Sequence, residues 1–304
     1  MKNKFIYFFI TLFLWFPIIT LATSNPGMVV IQTDFGIKDG AVSAVKGVMY
    51  SVDPALKISD LTNEITPFNI WEASYRLYQV AQYWPQGTVF VSVVDPGVGT
   101  HRKSIVAESN NGYYFVTPDN GTLTLINDQY GLKEVREIDE TKNRLKGSND
   151  SYTFHGRDVY GYVAARLASG KIQFEDVGPK LETPIVKLSY QKPFIKDHKL
   201  EGTITILDPQ YGNLWTNIDD KLVHEFDIQK DKLYKVTVYY KGQKKFQGSM
   251  PFEHTFGEVK KDKNLLYVNS LMNLSVATNQ KNFAKLYHVD AGADWRIEVE
   301  QVKS

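Results

Sequence analysis

The run from Val89 to Val94 reads Val-Phe-Val-Ser-Val-Val and leads straight into Asp95-Pro96-Gly97-Val98-Gly99. A segment this apolar is a strand buried within a sheet. It carries a carboxylate at its carboxyl end, followed by a glycine turn. In open α/β sheets ligands bind at that end of the strands, and glycine lets backbone approach a ligand closely. Arg102 lies just beyond the turn, and a second polar cluster follows at Thr153-Phe154-His155-Gly156-Arg157-Asp158. A carboxylate, a guanidinium and an imidazole on such loops suit the positioning and deprotonation of a water molecule.

The flanking pattern alternates strand and helix. Met28 to Gln32 and Leu56 to Leu61 read as strands, with a helix between them over about 40–51. Ile70, Ala73, Leu77, Val80, Ala81 and Trp84 form one apolar stripe, which predicts a helix over 69–84 with Asn69 as its N-cap. Beyond the buried strand over 88–94, Ile105 to Glu108 and Tyr113 to Thr117 read as strands joined at Asn110-Asn111-Gly112. Val159 to Leu167 reads as a helix opened by Asp158 and closed by Gly170. This alternation predicts βαβ crossovers and a largely parallel sheet. From about Gln191 the pattern changes to strands at 200–207, 233–240, 245–247, 265–268 and 274–277, with Lys241-Gly242 as a hairpin turn. The fold expected is therefore a mostly parallel α/β sandwich domain over 26–190, then a smaller antiparallel β-domain over 195–304, joined through the polar stretch 188–198. A chain of 304 residues, 43% of them hydrophobic, has enough apolar surface for both cores.

The first residues read differently. Lys2 and Lys4 precede an apolar run from Phe5 to Leu21, and Leu21-Ala22-Thr23-Ser24 offers small residues for cleavage. This predicts a signal peptide over 1–22, cut after Ala22; a retained membrane anchor is the alternative. Cleavage removes two lysines and no acids, turning the formal charge from +1 to −1. The expected setting is a bacterial periplasm or exterior, with no stable membrane association after cleavage. There is no cysteine, which excludes disulfides, a lipobox, thiolate chemistry and cysteine metal sites. The near-neutral charge gives no electrostatic case for nucleic acid. The 18 Tyr and 17 Phe suit a protein that stacks planar ligands and equally suit a tyrosine-rich β-domain.

Each polar motif has a structural reading beside its functional one. Thr33-Asp34-Phe35-Gly36 presents a carboxylate suited to a ribose diol, or a helix cap or Asx turn. Asp95 and Arg102 form an ion pair that either ties down the turn or orients an anion or water. His155, set among polar residues before a helix, is a candidate for chemistry or a structural histidine. Pro118-Asp119-Asn120-Gly121 is first of all a turn, with a place in the floor of a site as the second reading. The run from Asp208 to Asn217 is either a hairpin or a source of an acceptor for an ammonium and an amide for a purine edge. There is no metal-ligand spacing, no phosphate-binding glycine loop and no nucleophile elbow.

Taken in order, Thr33-Asp34-Phe35-Gly36, Val94-Asp95-Pro96-Gly97-Val98-Gly99, Pro118-Asp119-Asn120-Gly121, Thr153-Phe154-His155-Gly156-Arg157-Asp158 and Tyr211-Gly212-Asn213 resemble the SAM hydroxide adenosyltransferases, relatives of the fluorinase and chlorinase. Each motif is weak singly, and five in order are specific. The resemblance runs from about Val29 to Leu286. It implies hydrolysis of S-adenosyl-L-methionine to adenosine and L-methionine, with no cofactor, in a homotrimer whose sites lie between one subunit's N-domain and its neighbour's C-domain. It implies a water-handling triad of Asp95, Arg102 and His155. Asp34 would bind the ribose diol, and Phe68 and Phe154 would flank the ligand. Asp208 and Ser270 would contact the methionine moiety, and Asn213 the adenine. The halogenating branch differs by Tyr in place of Asp95 and Ser in place of Gly156, which favours hydrolysis here. The chain departs from the family pattern at Tyr211, usually Phe, at Met272, usually small, and at Lys281, often Gly. Two other expectations stand beside hydrolysis. One is an exported binding protein for S-adenosylmethionine or a nucleoside, with little turnover. The other is a metal-dependent hydrolase of another nucleoside derivative.

Overall fold

In the computed structural model, which describes residues 27–302, the N-terminal part alternates as its sequence predicts. The expected signal segment over 1–22 lies outside the described residues. The elements run β1 (Met28–Thr33), α1 (Ala41–Val52), β2 (Lys57–Thr62), α2 (Ile70–Ala81), β3 (Val89–Val93), β4 (Ser104–Ser109), β5 (Tyr114–Pro118), α3 (Thr124–Tyr130), β6 (Leu132–Glu137) and α4 (Glu140–Asn143). A π-helical turn (Gly156–Gly161) then leads into α5 (Tyr162–Ala168). The six strands form one sheet in the order β2-β1-β3-β5-β4-β6. The β1–β2, β1–β3 and β3–β5 pairs are parallel, and β4 runs against both of its neighbours. Every residue of β3 is buried, as an apolar run in the middle of a covered sheet requires. One face packs Val29, Ile31, Val91 and Val93 against α1 and α5; the other packs Val30, Phe90 and Phe115 against α2 and α3.

The second part runs β7 (Phe194–Lys196), β8 (Lys199–Leu207), β9 (Leu214–Asp219), α6 (Asp220–Glu225), β10 (Leu233–Tyr240), β11 (Gln243–Pro251), β12 (Asn264–Val268), β13 (Asn273–Thr278), α7 (Phe283–Tyr287) and β14 (Trp295–Gln301). These strands make a wholly antiparallel sheet in the order β11-β10-β14-β8-β9-β13-β12, with β7 added alongside β8. The long strand β8 pairs with β14 through its first half and with β9 through its second, so the sheet curls there. Phe252, just past β11, bridges to Leu266 of β12, bringing the two ends of the sheet together in a near-barrel. The mixed α/β domain followed by an antiparallel β-domain is the fold class read from the sequence.

One local expectation is corrected. Asp158 does not open the helix before Val159. It is fully buried inside the π-helical turn, paired with Arg157 at 2.7 Å, and the helical geometry begins earlier, at Gly156. The run from Asp208 forms the expected hairpin, turning at Gly212 between β8 and β9, and β9 is also paired with β13.

Helix α2 shows why one apolar stripe was an incomplete description. Asn69 caps it as expected, its side chain accepting the Glu72 N–H at 3.0 Å. Ala73, Leu77 and Ala81 are buried, and so are Trp71 and Tyr75 on a second face. That second face meets the β-domain. Trp71 Nε1 donates to the Thr205 carbonyl at 2.7 Å, and Trp71, Tyr75 and Leu125 pack with Ile206, Trp215 and Leu271. Residues 181–193 have neither helix nor strand and run between the two domains. Leu188 N donates to Thr124 Oγ1, while the Gln191 carbonyl accepts from Thr203 and Asn217. Among the described residues no helix is long and apolar enough to cross a membrane.

Asn69 satisfies an otherwise unpaired N–H at the start of α2. Asn69→Ala is expected to lower stability by about 1 kcal/mol. A lower urea midpoint with an unchanged denaturant slope checks it.

Candidate active site

Asp95 is delivered by β3 and held by its neighbours. Asn120 Nδ2 donates to the Val94 carbonyl at 2.9 Å on one side of the 95–102 turn, and Asp119 N donates to the Lys103 carbonyl at 2.8 Å on the other. The Pro118–Gly121 turn thus clamps both ends of the loop that carries Asp95 and Arg102. Within the loop, Val98 N donates to the Asp95 carbonyl and Thr100 N to the Gly97 carbonyl.

Arg102 is nearly exhausted by protein partners. Its Nε donates to Asp95 Oδ1 at 2.9 Å and Oδ2 at 3.0 Å, and Nη2 donates to Oδ2 at 2.7 Å. Nη1 donates to Ser104 Oγ at 2.8 Å, and Nη2 also lies 3.2 Å from His155 Nδ1. Burial works against the guanidinium's charge, but its hydrogen bonds to Asp95 and that carboxylate's field outweigh it, so the Arg102 pKa stands above its ordinary value. The Asp95 and Arg102 side chains are only 5% and 12% exposed. The pair therefore braces the loop and shapes the site together, where the sequence offered these as alternatives.

Tyr160 completes the cluster and was missed from sequence. Its hydroxyl donates to Asp95 Oδ2 at 3.2 Å and lies 3.3 Å from Ser104 Oγ. It reaches there because the turn after His155 is π-helical. The i→i+5 turn is wider than an α-turn and leaves the His155 and Tyr160 rings 6.5 Å apart. Burial first, and then the Asp95 charge, push the Tyr160 pKa strongly upward. Glu140 was missed too. It opens α4, and its Oε2 lies 3.6 Å from His155 Nε2 and 2.6 Å from Arg144 Nη1. His155 first, and then Arg144, hold the Glu140 carboxyl below the usual range against the opposing effect of burial. No signal at sequence level joins Glu140 or Tyr160 to His155.

Asp95 and His155 open onto a pocket of about 180 Å³ that also takes in Asp34, Phe68, Phe154 and Gly156. Arg102 does not line it. Asp34 follows β1, and its Oδ2 accepts the Phe68 N–H at 2.9 Å. Asp34 therefore braces a distant residue and not a local turn. Phe68 sits at φ 68°, an unusual conformation for a bulky side chain, and the residue is 70% exposed beside the pocket. Gly156 abuts Phe35 and Val93. A Cβ there would lie 3.0 Å from Phe35 Cζ and 3.2 Å from Val93 Cγ1, so even a small side chain displaces the Phe35 ring.

The other expected ligand residues lie elsewhere. Asp208, Asn213 and Ser270 line a pocket of about 970 Å³ in the β-domain, together with Tyr211, Phe256 and Lys281. Asp208 Oδ1 accepts the backbone N–H groups of Gln210 and Tyr211, so it shapes its turn as well as the pocket wall. Gly212 has φ 63°, and a Cβ there would overlap the Asn282 side chain, so glycine lets this turn lie against the start of α7. Tyr211 is 67% exposed. The two pockets share no residue. Small-ligand sites usually enclose about 300–1,000 Å³, so the N-domain pocket is too small to be a whole site. Among the described residues no group of three or more His, Asp or Glu is placed to hold a metal ion.

The SAM hydroxide adenosyltransferase N-terminal domain model matches residues 29–178, and its C-terminal counterpart matches residues 202–296. A protein of Methanocaldococcus jannaschii named (R)-S-adenosyl-L-methionine hydrolase is 43% identical over 144 residues, which cover 46% of this chain and about half, 52%, of that protein. A Salinispora tropica protein of the same name is 32% identical over 87% of this chain and 95% of its own. A fluorinase of an Actinoplanes species is 27% identical over 89% and 97%. The crystal structure of an uncharacterized conserved protein from Thermotoga maritima superposes with a TM-score of 0.81 at 35% identity, covering 90% of this chain and all of that one.

Tyr160 stays neutral in the fold and ionises near pH 10 once unfolded. Its stabilising contribution is whole below pH 10 and is lost as pH rises further, by about 1.4 kcal/mol per pH unit. Tyr160→Phe is expected to flatten the fall of the unfolding free energy between pH 10 and 11 by about 1 kcal/mol; equal falls in the two proteins would count against the assignment.

Proposed function

The chain belongs to the SAM hydroxide adenosyltransferase family, and from that premise we propose that it hydrolyses S-adenosyl-L-methionine to adenosine and L-methionine. Water attacks the ribose C5′. The C5′–O bond forms as the C5′–S bond breaks, the sulfonium sulfur keeps the electron pair as the neutral thioether of methionine, and the water proton leaves through Asp95 to solvent. A sulfonium departs without protonation, so the site needs no acid at the leaving group. What it must supply is an oriented water.

One observation carries this reading: a buried carboxylate that lines the pocket and keeps one oxygen lightly engaged. Asp95 Oδ2 takes contacts from Arg102 Nε, Arg102 Nη2 and Tyr160, whereas Oδ1 takes Arg102 Nε alone. Oδ1 is the oxygen left to accept from water. Arg102, spent on Asp95, Ser104 and His155, acts by fixing both of the other groups. Asp34 would hold the ribose diol, with Phe68 and Phe154 against the nucleoside.

Hydrolysis is favoured over halide transfer by the chemistry at two positions. A carboxylate at Asp95 repels a halide and accepts from water. Gly156 is crowded by Phe35 and Val93, so the serine that halogenating relatives carry there would have to push the Phe35 ring aside. The relatives named as hydrolases specify the (R) sulfonium epimer in their names, so the same epimer is the first substrate to try.

Asp208, Asn213 and Ser270 line a separate, open pocket, which supports a site completed by a neighbour's β-domain, in the homotrimer that the family resemblance implies. In that assembly Asp208 meets the substrate ammonium, Ser270 the methionine moiety and Asn213 the adenine.

Incubating the protein with each sulfonium epimer, followed by chromatography for adenosine and methionine, tests the activity. Asp95→Asn is expected to lower the rate by about 10²–10⁴-fold; undiminished adenosine release from that variant would refute the role of Asp95. Asp95→Asn and Asp208→Ala, each inactive alone, are expected to recover about a quarter of the wild-type rate when dissociated, mixed in equal amounts and reassembled, because only a site built from one subunit of each kind is intact. No recovery would place each site within a single chain.

A further inference from the structure

His155 is buried, its side chain 4% exposed, with a charged partner at each ring nitrogen. Nδ1 stands 3.2 Å from Arg102 Nη2, and Nε2 stands 3.6 Å from Glu140 Oε2. Arginine has donors and no acceptor. The Arg102 contact is therefore a hydrogen bond only when Nδ1 offers a lone pair, which places the ring proton on Nε2, toward Glu140. At 3.6 Å this second contact is longer than a hydrogen bond. It is the attraction of a carboxylate for an N–H dipole in a poorly hydrated place, and such contacts tighten when a substrate closes a site.

Glu140 is itself held in place. It follows the cap of α4, where Asp139 Oδ1 accepts from the Thr141 N–H at 3.1 Å. Arg144 grips it at 2.6 Å. Arg144 in turn donates to the Ser148 and Ser151 carbonyls and lies over the Tyr152 ring at 4.8 Å, in the loop that leads to His155. Glu140 lies outside both ligand pockets, so it acts through the groups it faces, His155 at the ring and Arg102 through its field.

We propose that Glu140 is a positioning residue. Its carboxylate selects the Nε2–H tautomer of His155, which leaves Nδ1 to accept from Arg102 and so fixes the imidazole against the guanidinium that Asp95 holds. The kinetic consequence rests on the hydrolytic reading given above, while the tautomer can be read without substrate. Without Glu140 nothing on that side of the ring favours Nε2–H, and the alternative Nδ1–H form sets donor against donor at Arg102.

The test uses the full protein labelled with ¹⁵N at the histidine imidazoles, with His155 assigned by His155→Gln. Wild type is expected to show His155 as the Nε2–H tautomer. Glu140→Ala and Glu140→Asp, the second keeping the charge but withdrawing it from the ring, are expected to mix in Nδ1–H. Glu140→Gln, whose amide oxygen still accepts, is expected to keep Nε2–H. In turnover of S-adenosyl-L-methionine, Glu140→Ala is expected to lose on the order of 10²-fold in kcat with KM within about twofold, and Glu140→Gln to regain most of it. If Glu140→Ala does not fold, Glu140→Asp decides. An unchanged tautomer in the folded variants overturns the proposal, as does an unchanged kcat. If wild type releases no adenosine, the hydrolytic reading fails and the tautomer comparison alone decides the role of Glu140.

Discussion

The site is organised around the ion pair between Asp95 and Arg102. Two charges are taken out of water at the carboxyl end of a central strand, and each is stabilised mainly by the other. Removing one partner of such a pair leaves an uncompensated buried charge, at a cost of about 3–5 kcal/mol. That cost makes the geometry rigid. Arg102 cannot leave Asp95, so its remaining donors have fixed directions, and Ser104 and His155 stand where those directions end. Tyr160 closes the ring by bridging Asp95 and Ser104. The pocket is thus framed by groups whose orientations are mutually determined before any ligand arrives, which is what efficient placement of a weak nucleophile requires.

The two domains meet this demand differently. The N-domain presents strand-end and helix-start residues on a sheet covered on both faces, so its pocket is small and its Asp95 and His155 side chains are buried. The β-domain presents turns, with the Asp208–Asn213 turn pressed against α7 through Gly212, and its pocket is broad and exposed.

Much of this was legible along the chain, for local reasons. The apolar run into Asp95 could only be a covered strand, Asn69 had the chemistry of a cap, and Asn110-Asn111-Gly112 had the chemistry of a hairpin turn. What escaped reading was set by pitch or by distance. Tyr160 joins the site because of a π-helical turn that the helical period does not foreshadow. Glu140 arrives from α4, a helix too short to show periodicity. Trp71 and Tyr75 gave α2 a second buried face because another domain packs there. Strand β6 was hidden by its charges, Lys133, Glu134, Arg136 and Glu137; several are paired at the surface, as in Arg136–Glu134 and Lys133–Glu108, which an edge strand permits.

The wide turn at Gly156–Gly161 has a consequence for how this chain can change over evolutionary time. Compared with regular pitch it holds one surplus residue between His155 and the buried face of α5, where Val163, Ala164 and Leu167 are committed to the core. Losing that residue would regularise the helix and leave Val163, Ala164 and Leu167 in place, yet it would shift Val159 and Tyr160 within the core and carry His155 about 100° round the axis and away from Arg102. Length at this point is therefore as constrained as identity. A lineage that kept every side chain named above but shortened this turn would retain the fold and lose the arrangement.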